Sequence, residues 1–377
     1  MNKVLLGDVA VEHKETCKGS KDGYPIVGLE HLIPEEITLT AWDEGSENTF
    51  SKMFRKGNVL FGRRRAYLKK AAVAPFDGIC SGDITVIEAK PDRILPELLP
   101  FIIQNDDLFD FAVGKSAGSL SPRVKWEHLK NYEFKLPDMK KQKELAELLW
   151  AMDNTKKSYQ KLIAATDELV KSQFMEQFGS YLGDETRCAT VEQVCTVFAD
   201  GDWIESKDQA DDGIRLIQTG NVGNGVYLDK GERARYIDEE TFVRLNCTEV
   251  LPNDILISRL PDPVGRACII PDGLGKSITA VDCSIVRLKS HVLPEFFVAY
   301  TMTTLYAAQI GSSVTGSTRK RISRKNLGQV VIPTPDIDQQ EQFAAFVRQS
   351  DKSKFELEKA LSELTATYKR IIAENLG

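Results

Sequence analysis

Two long stretches of the sequence place apolar or small residues every three or four positions, which is the spacing of an amphipathic helix. The first follows Asp138, the second follows Asp336, and neither contains a proline. Each covers roughly 38 residues, or about 57 Å of helix at ~1.5 Å per residue. A helix of this length with one apolar stripe needs a partner, so we predict that the two pack as an antiparallel coiled coil. The residues expected at the helix-pair or partner interface are Leu145, Leu148, Met152, Tyr159, Leu162, Leu169, Phe343, Phe346, Leu357, Leu364 and Ile371.

The second stripe is weaker in its middle. Ser350 and Ser353 stand at positions where the heptad spacing calls for apolar residues. Because small polar residues bury little apolar surface, we expect looser packing of the helices at this point.

The stretches that precede the helices alternate short apolar runs with glycine, proline and asparagine, as strands joined by turns do. In the first stretch, strands are predicted near residues 24–29, 59–61, 71–74 and 84–87. A bent helix over 95–111 and a loop at 114–119 follow them. The second stretch shows matching elements near residues 216–221, 254–259, 278–286 and 294–308. We therefore predict an α+β fold in which two strand-rich modules are each followed by one long helix.

The two halves of the chain are copies of each other. Residues 316–376 align without a gap with 118–178, at an offset of 198 positions (316 − 118). A repeat period near half of the chain length indicates two similar modules in tandem, with pseudo-two-fold symmetry. The predicted segments are a first module at 1–137, its helix at 138–180, a second module at 181–335 and its helix at 336–377.

The composition predicts a soluble, cytoplasmic protein without a cofactor. The 377 residues suffice for two domains, and 42% hydrophobic with 28% charged residues is typical of globular proteins. No apolar run approaches the ~18 residues that span a bilayer, and the first eight residues do not resemble a signal peptide. Seven cysteines without a Cys-x-x-Cys pair favour reduced thiols over structural zinc. The four histidines are too isolated to suggest a metal site.

The charge distribution indicates a partner with phosphate groups. The formal net charge is −6, but residues 63–70 carry five positive residues in eight and residues 319–325 carry five in seven. A basic patch on an acidic body is an electrostatic footprint for nucleic acid, whereas a single such run is also typical of a solvated loop. The presence of a basic loop in each repeat favours the first interpretation.

One set of short motifs occurs in both copies and carries a family resemblance. The first copy has Gly118-Ser119, then Leu136-Pro137-Asp138 and Gln142. The second copy has Gly316-Ser317, then Ile332-Pro333, Pro335-Asp336 and Gln340. Twin modules with this series, each followed by a long helix, resemble the DNA specificity subunit of type I restriction–modification systems over essentially the whole chain.

The resemblance implies a function for each part of the chain. Each module would be a target recognition domain that reads one half of a split, asymmetric sequence in double-stranded DNA. The helices would be spacers that dock two modification (methyltransferase) subunits, with restriction subunits joining through the complex. Half-sites about one helical turn apart need roughly 34 Å between their readers, and a rigid helical pair is a suitable ruler for this distance.

We expect DNA contacts from both modules. In the first module the candidates are Arg63, Arg64, Arg65, Lys69, Lys115, Ser116, Ser119, Arg123 and Lys125. In the second module they are Asn221, Arg259, Lys276, Ser312, Ser317, Thr318, Arg319, Lys320, Arg321 and Arg324. Phosphate contacts are expected from Arg319, Lys320 and Lys325. Base contacts are expected from Arg63, Arg259 and Asn221, because arginine pairs bidentately with guanine and asparagine with adenine.

No motif in the sequence indicates catalysis. The nearest match to a methyltransferase motif, Pro261-Asp262-Pro263-Val264, lacks the adjacent prolines and the aromatic residue. Gly275-Lys276-Ser277 resembles the end of a phosphate-binding loop, but Ile270 stands where the first glycine is needed. Three alternatives remain open: a stand-alone nucleic-acid-binding regulator that dimerises through its helices, a part of an enzyme whose catalytic domain lies on another chain, and an interaction protein that binds no nucleic acid.

Overall fold

The computed structural model describes residues 2–45, 48–316 and 320–377. The chain forms two compact units: the first comprises the chain up to Lys161 together with Glu358–Gly377, and the second comprises Leu162–Leu357. Two helices of 40 residues each run through both units, so that each unit contains part of both helices. The predicted α+β fold with tandem modules and two long helices is confirmed. The units differ from the four predicted segments because the helix ends pack into the modules.

The first module and the long helix that follows it contain the first half of the helices and strands. In chain order they are β1 (Asn2–Leu5), α1 (Leu6–Val9), β2 (Ala10–Glu12), β3 (Ile26–Val27), β4 (Lys52–Phe54), β5 (Val59–Gly62), β6 (Ala71–Val73), β7 (Gly78–Cys80), β8 (Ile84–Ala89), α2 (Leu99–Ile103), α3 (Asp106–Gly114), α4 (Trp126–Leu129), β9 (Glu133–Leu136) and α5 (Met139–Phe178). The predicted bent helix is the pair α2 and α3. The bend lies where the side chain of Asn105 caps α3 by accepting a hydrogen bond from the Asp107 amide.

A four-stranded antiparallel sheet of order β2-β8-β5-β6 lies at the centre of the first unit. Both faces of β5 are buried: Val59 and Phe61 face the larger core, and Leu60 faces a smaller one. This arrangement explains the continuous apolar run in the sequence, because alternate side chains of a strand point to opposite faces. A second sheet has the order β3-β7-β4, and β1 pairs with β9.

The second module and the long helix that follows it contain the matching elements of the repeat. In chain order they are β10 (Cys188–Thr190), β11 (Cys195–Asp200), β12 (Ile214–Ile217), β13 (Arg235–Ile237), α6 (Glu239–Arg244), β14 (Ile255–Ser258), β15 (Ala267–Ile269), β16 (Ser277–Thr279), β17 (Cys283–Leu288), α7 (Pro294–Thr301), α8 (Thr304–Ser313), α9 (Arg324–Gly328), β18 (Val331–Pro333) and α10 (Ile337–Leu376). Its four-stranded sheet has the order β11-β17-β14-β15, and β10 pairs with β18. The centre of β14 alternates as β5 does: Ile255 and Ile257 face the larger core and Leu256 the smaller one.

The modules differ in their three-stranded sheets. Each contains a parallel pair, β3 with β7 in the first unit and β12 with β16 in the second. The third strand is added at opposite edges of this pair: β4 pairs with β7, whereas β13 pairs with β12. The segment that leads to the third strand therefore follows a different path in each module.

Equivalent glutamines fasten both long helices to their modules. Gln142 and Gln340 are buried near the first turn of α5 and α10. The Gln142 side chain accepts from the Leu95 amide at 2.8 Å and donates to the Pro137 carbonyl at 2.9 Å. Gln340 makes the equivalent bonds to the Leu293 amide and the Pro335 carbonyl. In addition, the Asp138 carboxylate accepts from the Lys141 amide, as expected for a helix cap.

The helix seam differs in detail from the predicted heptad stripe. Leu145, Met152 and Phe343 are buried as expected, whereas Leu148, Leu162 and Leu169 are 45%, 51% and 51% exposed. The helix ends pack onto the module cores as well as onto each other. The side of each helix that is buried therefore depends on the position of the module core. The buried residues of α5 are Gln142, Leu145, Ala146, Leu149, Met152 and Asp153 in the first unit and Val170, Phe174 and Phe178 in the second.

Contacts within the second unit show that the helices are antiparallel there. The rings of Phe174 and Phe343 lie 5.4 Å apart, and the Lys354 ammonium donates to the Asp167 carboxylate at 2.8 Å. The predicted residues Tyr159, Phe346, Leu357, Leu364 and Ile371 are half-buried. Ser350 is buried as predicted, whereas Ser353 is exposed. No helix in the described part of the chain combines the length and apolarity that a membrane span needs.

Candidate nucleic-acid interface

The structure brings the two conspicuous loops of the first module together. We name them the basic loop (residues 63–70) and the Gly-Ser loop (residues 114–122). Arg64 Nη2 donates to Ser121 Oγ at 3.0 Å, and the amide of the following residue donates to the Pro122 carbonyl at 2.8 Å. The two loops, about 50 residues apart in sequence, therefore form one continuous surface.

The carboxylate of Asp83 orients two arginines of this surface. Asp83, between β7 and β8, accepts a hydrogen bond from Arg123 Nε at 2.7 Å and lies 3.4 Å from Arg64 Nη1. The hydrogen bond from Arg123 holds the pKa of Asp83 below its usual value, and Arg64 adds to the effect. Two of the arginines predicted to bind DNA are thus oriented by an internal ion pair.

Some of the other candidates of the first module contact groups within the protein, whereas others are exposed to solvent. Lys69 is paired with Asp106, and the Ser116 hydroxyl donates to the Ala112 carbonyl. The Lys115 ammonium lies 5.8 Å from the Phe111 ring centroid. By contrast, Arg65, Ser119 and Lys125 are exposed, and the Arg63 guanidinium has a buried Nε without a hydrogen-bond partner among the described residues.

Sequence reasoning missed two apolar side chains on this surface. Leu120, at the tip of the Gly-Ser loop, is 90% exposed, and Tyr67, in the basic loop, is also exposed. A single apolar residue in a loop carries no distinctive sequence signal. Its exposure is visible only once the loop conformation is known.

In the second module, the structure places Arg259 inside the fold. Its side chain is 5% exposed, its Nη2 donates to the Val281 carbonyl, and Asp200 lies 3.4 Å away. Burial lowers the pKa of Arg259, and the nearby Asp200 opposes that shift. A guanidinium held in this way does not present a fork to a base edge, so the arrangement indicates a positioning role in place of the predicted base contact.

Asn221 also differs from its predicted role. Its carbonyl oxygen accepts from the Gln218 amide at 3.0 Å, and its amide nitrogen donates to the Leu228 carbonyl at 2.9 Å. The side chain is 93% buried and closes a turn. Because both ends of the side chain are occupied, Asn221 shapes the loop rather than offering a bidentate pair to adenine.

The remaining candidates of the second module are partly engaged. Arg321 lies 3.2 Å from Asp282, and Arg324 donates to the Phe198 carbonyl at 3.0 Å. Lys276 is paired with Glu239 and lies over the Phe242 ring. The Ser312 hydroxyl donates to the Gln309 carbonyl, and Lys320 is exposed. Ser317, Thr318 and Arg319 lie outside the described residues.

The sequence analysis also missed a basic cleft in the second module. The cleft has a volume of about 270 Å³ and is lined by Leu216, Gln218, Gly220, Asn221, Lys230, Arg233, Ala234 and Arg235. The sequence does contain three cations within six positions, 230–235. Asp229 just before them and Glu232 among them reduce the net charge of the segment, so it does not stand out as basic. Only the folded segment shows that the cations point to one cleft.

The structure also places the groups that could have supported other chemistry. Burial raises the pKa of the Cys80 and Cys195 thiols to about 12, so both are protonated at neutral pH. Among the described residues, no three or more histidine, cysteine, aspartate or glutamate side chains are arranged to hold a metal ion. What the first surface and the second cleft do offer is guanidinium and ammonium donors, which suit phosphate oxygens and base edges.

Comparison with known proteins gives concordant results. A family model described as "Type I restriction modification DNA specificity domain" matches residues 3–165 and 186–365. The chain is 20% identical over 386 aligned positions to the specificity subunit assigned to the type I restriction enzyme MjaX of Methanocaldococcus jannaschii, covering 93% of this chain and 87% of that protein. It is 26% identical over 183 positions to the EcoDI specificity subunit of Escherichia coli, covering 48% of this chain and 37% of that protein.

Solved structures show a similar fold. One is a chain from a study of complex assembly and conformational transition of the type I R-M system, with a TM-score of 0.61 and 19% identity over 99% of this chain and 97% of that chain. Another is the S subunit of a type I restriction–modification system from M. genitalium, with a TM-score of 0.53 and 12% identity over 98% and 94% of the two chains.

Proposed function

The chain belongs to the type I restriction–modification DNA specificity family, and from this premise we propose that each of its two modules reads one half of a bipartite, asymmetric DNA site. Members of this family are the non-catalytic DNA recognition subunits of their complexes, and this chain is such a subunit. The catalytic steps therefore belong to other subunits.

The joined loops of the first module are the observation that carries this proposal. Six cations, Arg63, Arg64, Arg65, Lys115, Arg123 and Lys125, lie on or next to these loops, and the carboxylate of Asp83 lies among them, while Lys69 of the basic loop is paired with Asp106. The whole chain has a formal net charge of −6, so this surface departs strongly from the average. Such a local field attracts the DNA backbone, and the half-buried Arg63 is the candidate for a guanine edge.

The helices support the second part of the proposal, the docking of two modification subunits. Leu148, Leu162 and Leu169 are spaced by fourteen and seven positions and therefore lie close to one side of α5. Each is about half exposed, although a leucine is usually buried. We expect this side of the helix to contact a modification subunit, with restriction subunits joining through the complete complex. We also expect the two continuous helices to fix the spacing of the half-sites.

The proposal is tested by co-expressing the full chain with the modification subunit of its own host. We expect a complex of one specificity and two modification subunits by mass determination. Sequencing of the modified genome should then show methylated bases in a bipartite motif with a gap of fixed length. DNA binding without any such complex and without new methylation would instead support a stand-alone regulator.

A further inference from the structure

The second module has no counterpart of the basic loop at the equivalent positions of the repeat, and its own basic run at residues 319–325 lies elsewhere in the repeat. The repeat places residues 259–266 on residues 63–70, and this segment contains two cations in place of five. Both side chains are bonded to other parts of the protein. Arg259 is buried beside Asp200, and Arg266 donates through its three nitrogens to backbone carbonyls, among them Thr219 at 2.9 Å and Val222 at 2.7 Å. This segment offers no available guanidinium to a phosphate.

Arg266 instead helps to build the basic cleft. Its bonds to the carbonyls of Thr219 and Val222 hold the turn in which Asn221 is buried, and this turn forms one wall of the cleft. The lining also includes Lys230, Arg233 and Arg235. The cleft is therefore lined both by these cations and by a polar turn that is held by hydrogen bonds.

Among the described residues no carboxylate lines the cleft, and the two acidic residues of the adjoining segment lie outside its lining. Asp229 is paired with Arg215 and also accepts from the Gly231 amide at 3.1 Å. These contacts hold the pKa of Asp229 below its usual value, with the backbone bond from Gly231 as the largest cause. Glu232 is exposed and lies outside the lining. The Lys230 and Arg233 side chains are exposed to solvent, and Arg235 donates to Gln209 at 2.8 Å.

The corresponding segment of the first module has the opposite charge. Residues 32–45 contain the four carboxylates Glu35, Glu36, Asp43 and Glu44 and no lysine or arginine. The path of the chain differs as well, because β4 pairs with β7 whereas β13 pairs with β12. The two modules have thus exchanged the position of their positive charge while they keep the same central sheet.

We infer that the two modules hold DNA through non-equivalent segments. The first module uses its basic loop, and the second binds the phosphodiester backbone in the cleft formed by Lys230, Arg233 and Arg235. This inference rests on the proposed DNA-reading function. It adds a phosphate site in the second module that the repeat does not predict. A phosphate in the cleft would accept hydrogen bonds from the two exposed cations, and Arg235 is held beside them by Gln209.

The inference is tested with the double variant Lys230→Ala/Arg233→Ala in the full-length chain. The probe is a mixed-sequence DNA duplex, and the measurement is the slope of log K against log salt concentration. We expect the slope to become shallower by about 2, since each phosphate contact contributes about 0.9. Between about 50 and 200 mM salt the variant should then lose about tenfold less affinity than the unchanged protein. The weakening should be similar on all sequences.

Two control variants accompany this measurement. Lys207→Ala/Lys352→Ala removes the same charge from two exposed positions of the same unit and should leave the slope unchanged. Lys230→Arg/Arg233→Lys keeps both charges in the cleft and should restore the slope. If the control double variant lowers the slope as much as the cleft variant does, the effect is one of net charge and the inference is wrong.

A third variant separates this inference from the proposed function. Arg65→Ala/Lys125→Ala removes two exposed cations of the first module and should also lower the slope by about 2. An effect of this variant without an effect of the cleft variant would overturn the inference and leave DNA reading intact. An unchanged slope in both would overturn the proposed function as well.

Discussion

At the scale of single residues, Asp83 and Asp282 occupy equivalent positions of the repeat and each contacts an arginine that follows a Gly-Ser sequence. Arg123 donates to Asp83, and Arg321 lies 3.2 Å from Asp282. Gln142 and Gln340 likewise make the same bonds in both copies. Side chains that make the same contacts in both modules stabilise the fold that the modules share. Arg123 and Arg321 therefore orient the loops whether or not they also contact DNA.

Asp83→Asn should reduce stability in a pH-dependent way. Because Arg123 lowers the pKa of folded Asp83, the ion pair stabilises the fold above the unfolded pKa of about 4, and this stability is lost as the pH falls through the folded value. We expect a loss of about 1 kcal/mol at neutral pH, kept small by solvent screening. Urea unfolding at several pH values measures it.

Asp92→Asn is the matched control for this variant. Asp92 is exposed and lies 3.4 Å from the equally exposed Arg93. An exposed pair of this kind contributes little, so the control should unfold as the unchanged protein does. If Asp83→Asn has the same acid profile as the unchanged protein, the ion pair does not support the loops.

At the scale of elements, α5 carries two sets of apolar side chains that differ in their burial. Leu149, Phe174 and Phe178 are completely or almost completely buried in the module cores, whereas Leu148, Leu162 and Leu169 remain about half exposed. Heptad spacing in the sequence cannot separate these sets, since both fit an amphipathic helix. The two sets differ in what packs against them, and the module cores determine this.

Substitution of the exposed leucines should impair assembly with the modification subunit without unfolding the chain. Leu162→Glu/Leu169→Glu should abolish or strongly weaken association with the modification subunit, because a charge would be buried at the contact. The thermal unfolding midpoint of the isolated chain should change much less than with a core substitution, because about half of each side chain is already exposed. Co-purification of the co-expressed subunits and thermal unfolding measure the two effects.

Leu149→Ala is the contrasting variant, because it should lower the stability of the chain itself. Its side chain is completely buried, so the substitution should cost about 2–5 kcal/mol of folding free energy. Full assembly by the double glutamate variant would show that this side of α5 is not the docking surface.

At the scale of the whole molecule, the two modules have separate cores. The largest core of the first unit and that of the second share no residue. Each module can therefore change its reading surface without disturbing the core of the other. The exchange of basic segments between the modules, from residues 63–70 in the first to the cleft in the second, is an example of such a change.

Arg63→Ala should relax recognition in one half of the target only. If its guanidinium reads a guanine edge, its loss should cost about 1–3 kcal/mol of discrimination at one base pair. Sequencing of the methylated sites in cells that carry the variant complex measures this directly. Arg93→Ala, which removes an exposed cation of the same unit, is the control. Relaxation in both halves of the motif, or an equal loss at all sites, would contradict base reading by Arg63.

The sequence by itself determined the tandem architecture, the two long helices, the main strands and the family. These follow from local patterns, since an apolar period, a turn residue or a repeated motif has its effect within a few positions. Only the tertiary structure decided that the side chains of Arg259 and Asn221 are bonded within the fold, that three of the four predicted interface leucines of α5 are exposed, and that Lys230, Arg233 and Arg235 line one cleft. Availability of a side chain depends on partners that are distant in sequence. A pattern along the chain records which groups are present, and the fold decides which of them remain free to bind.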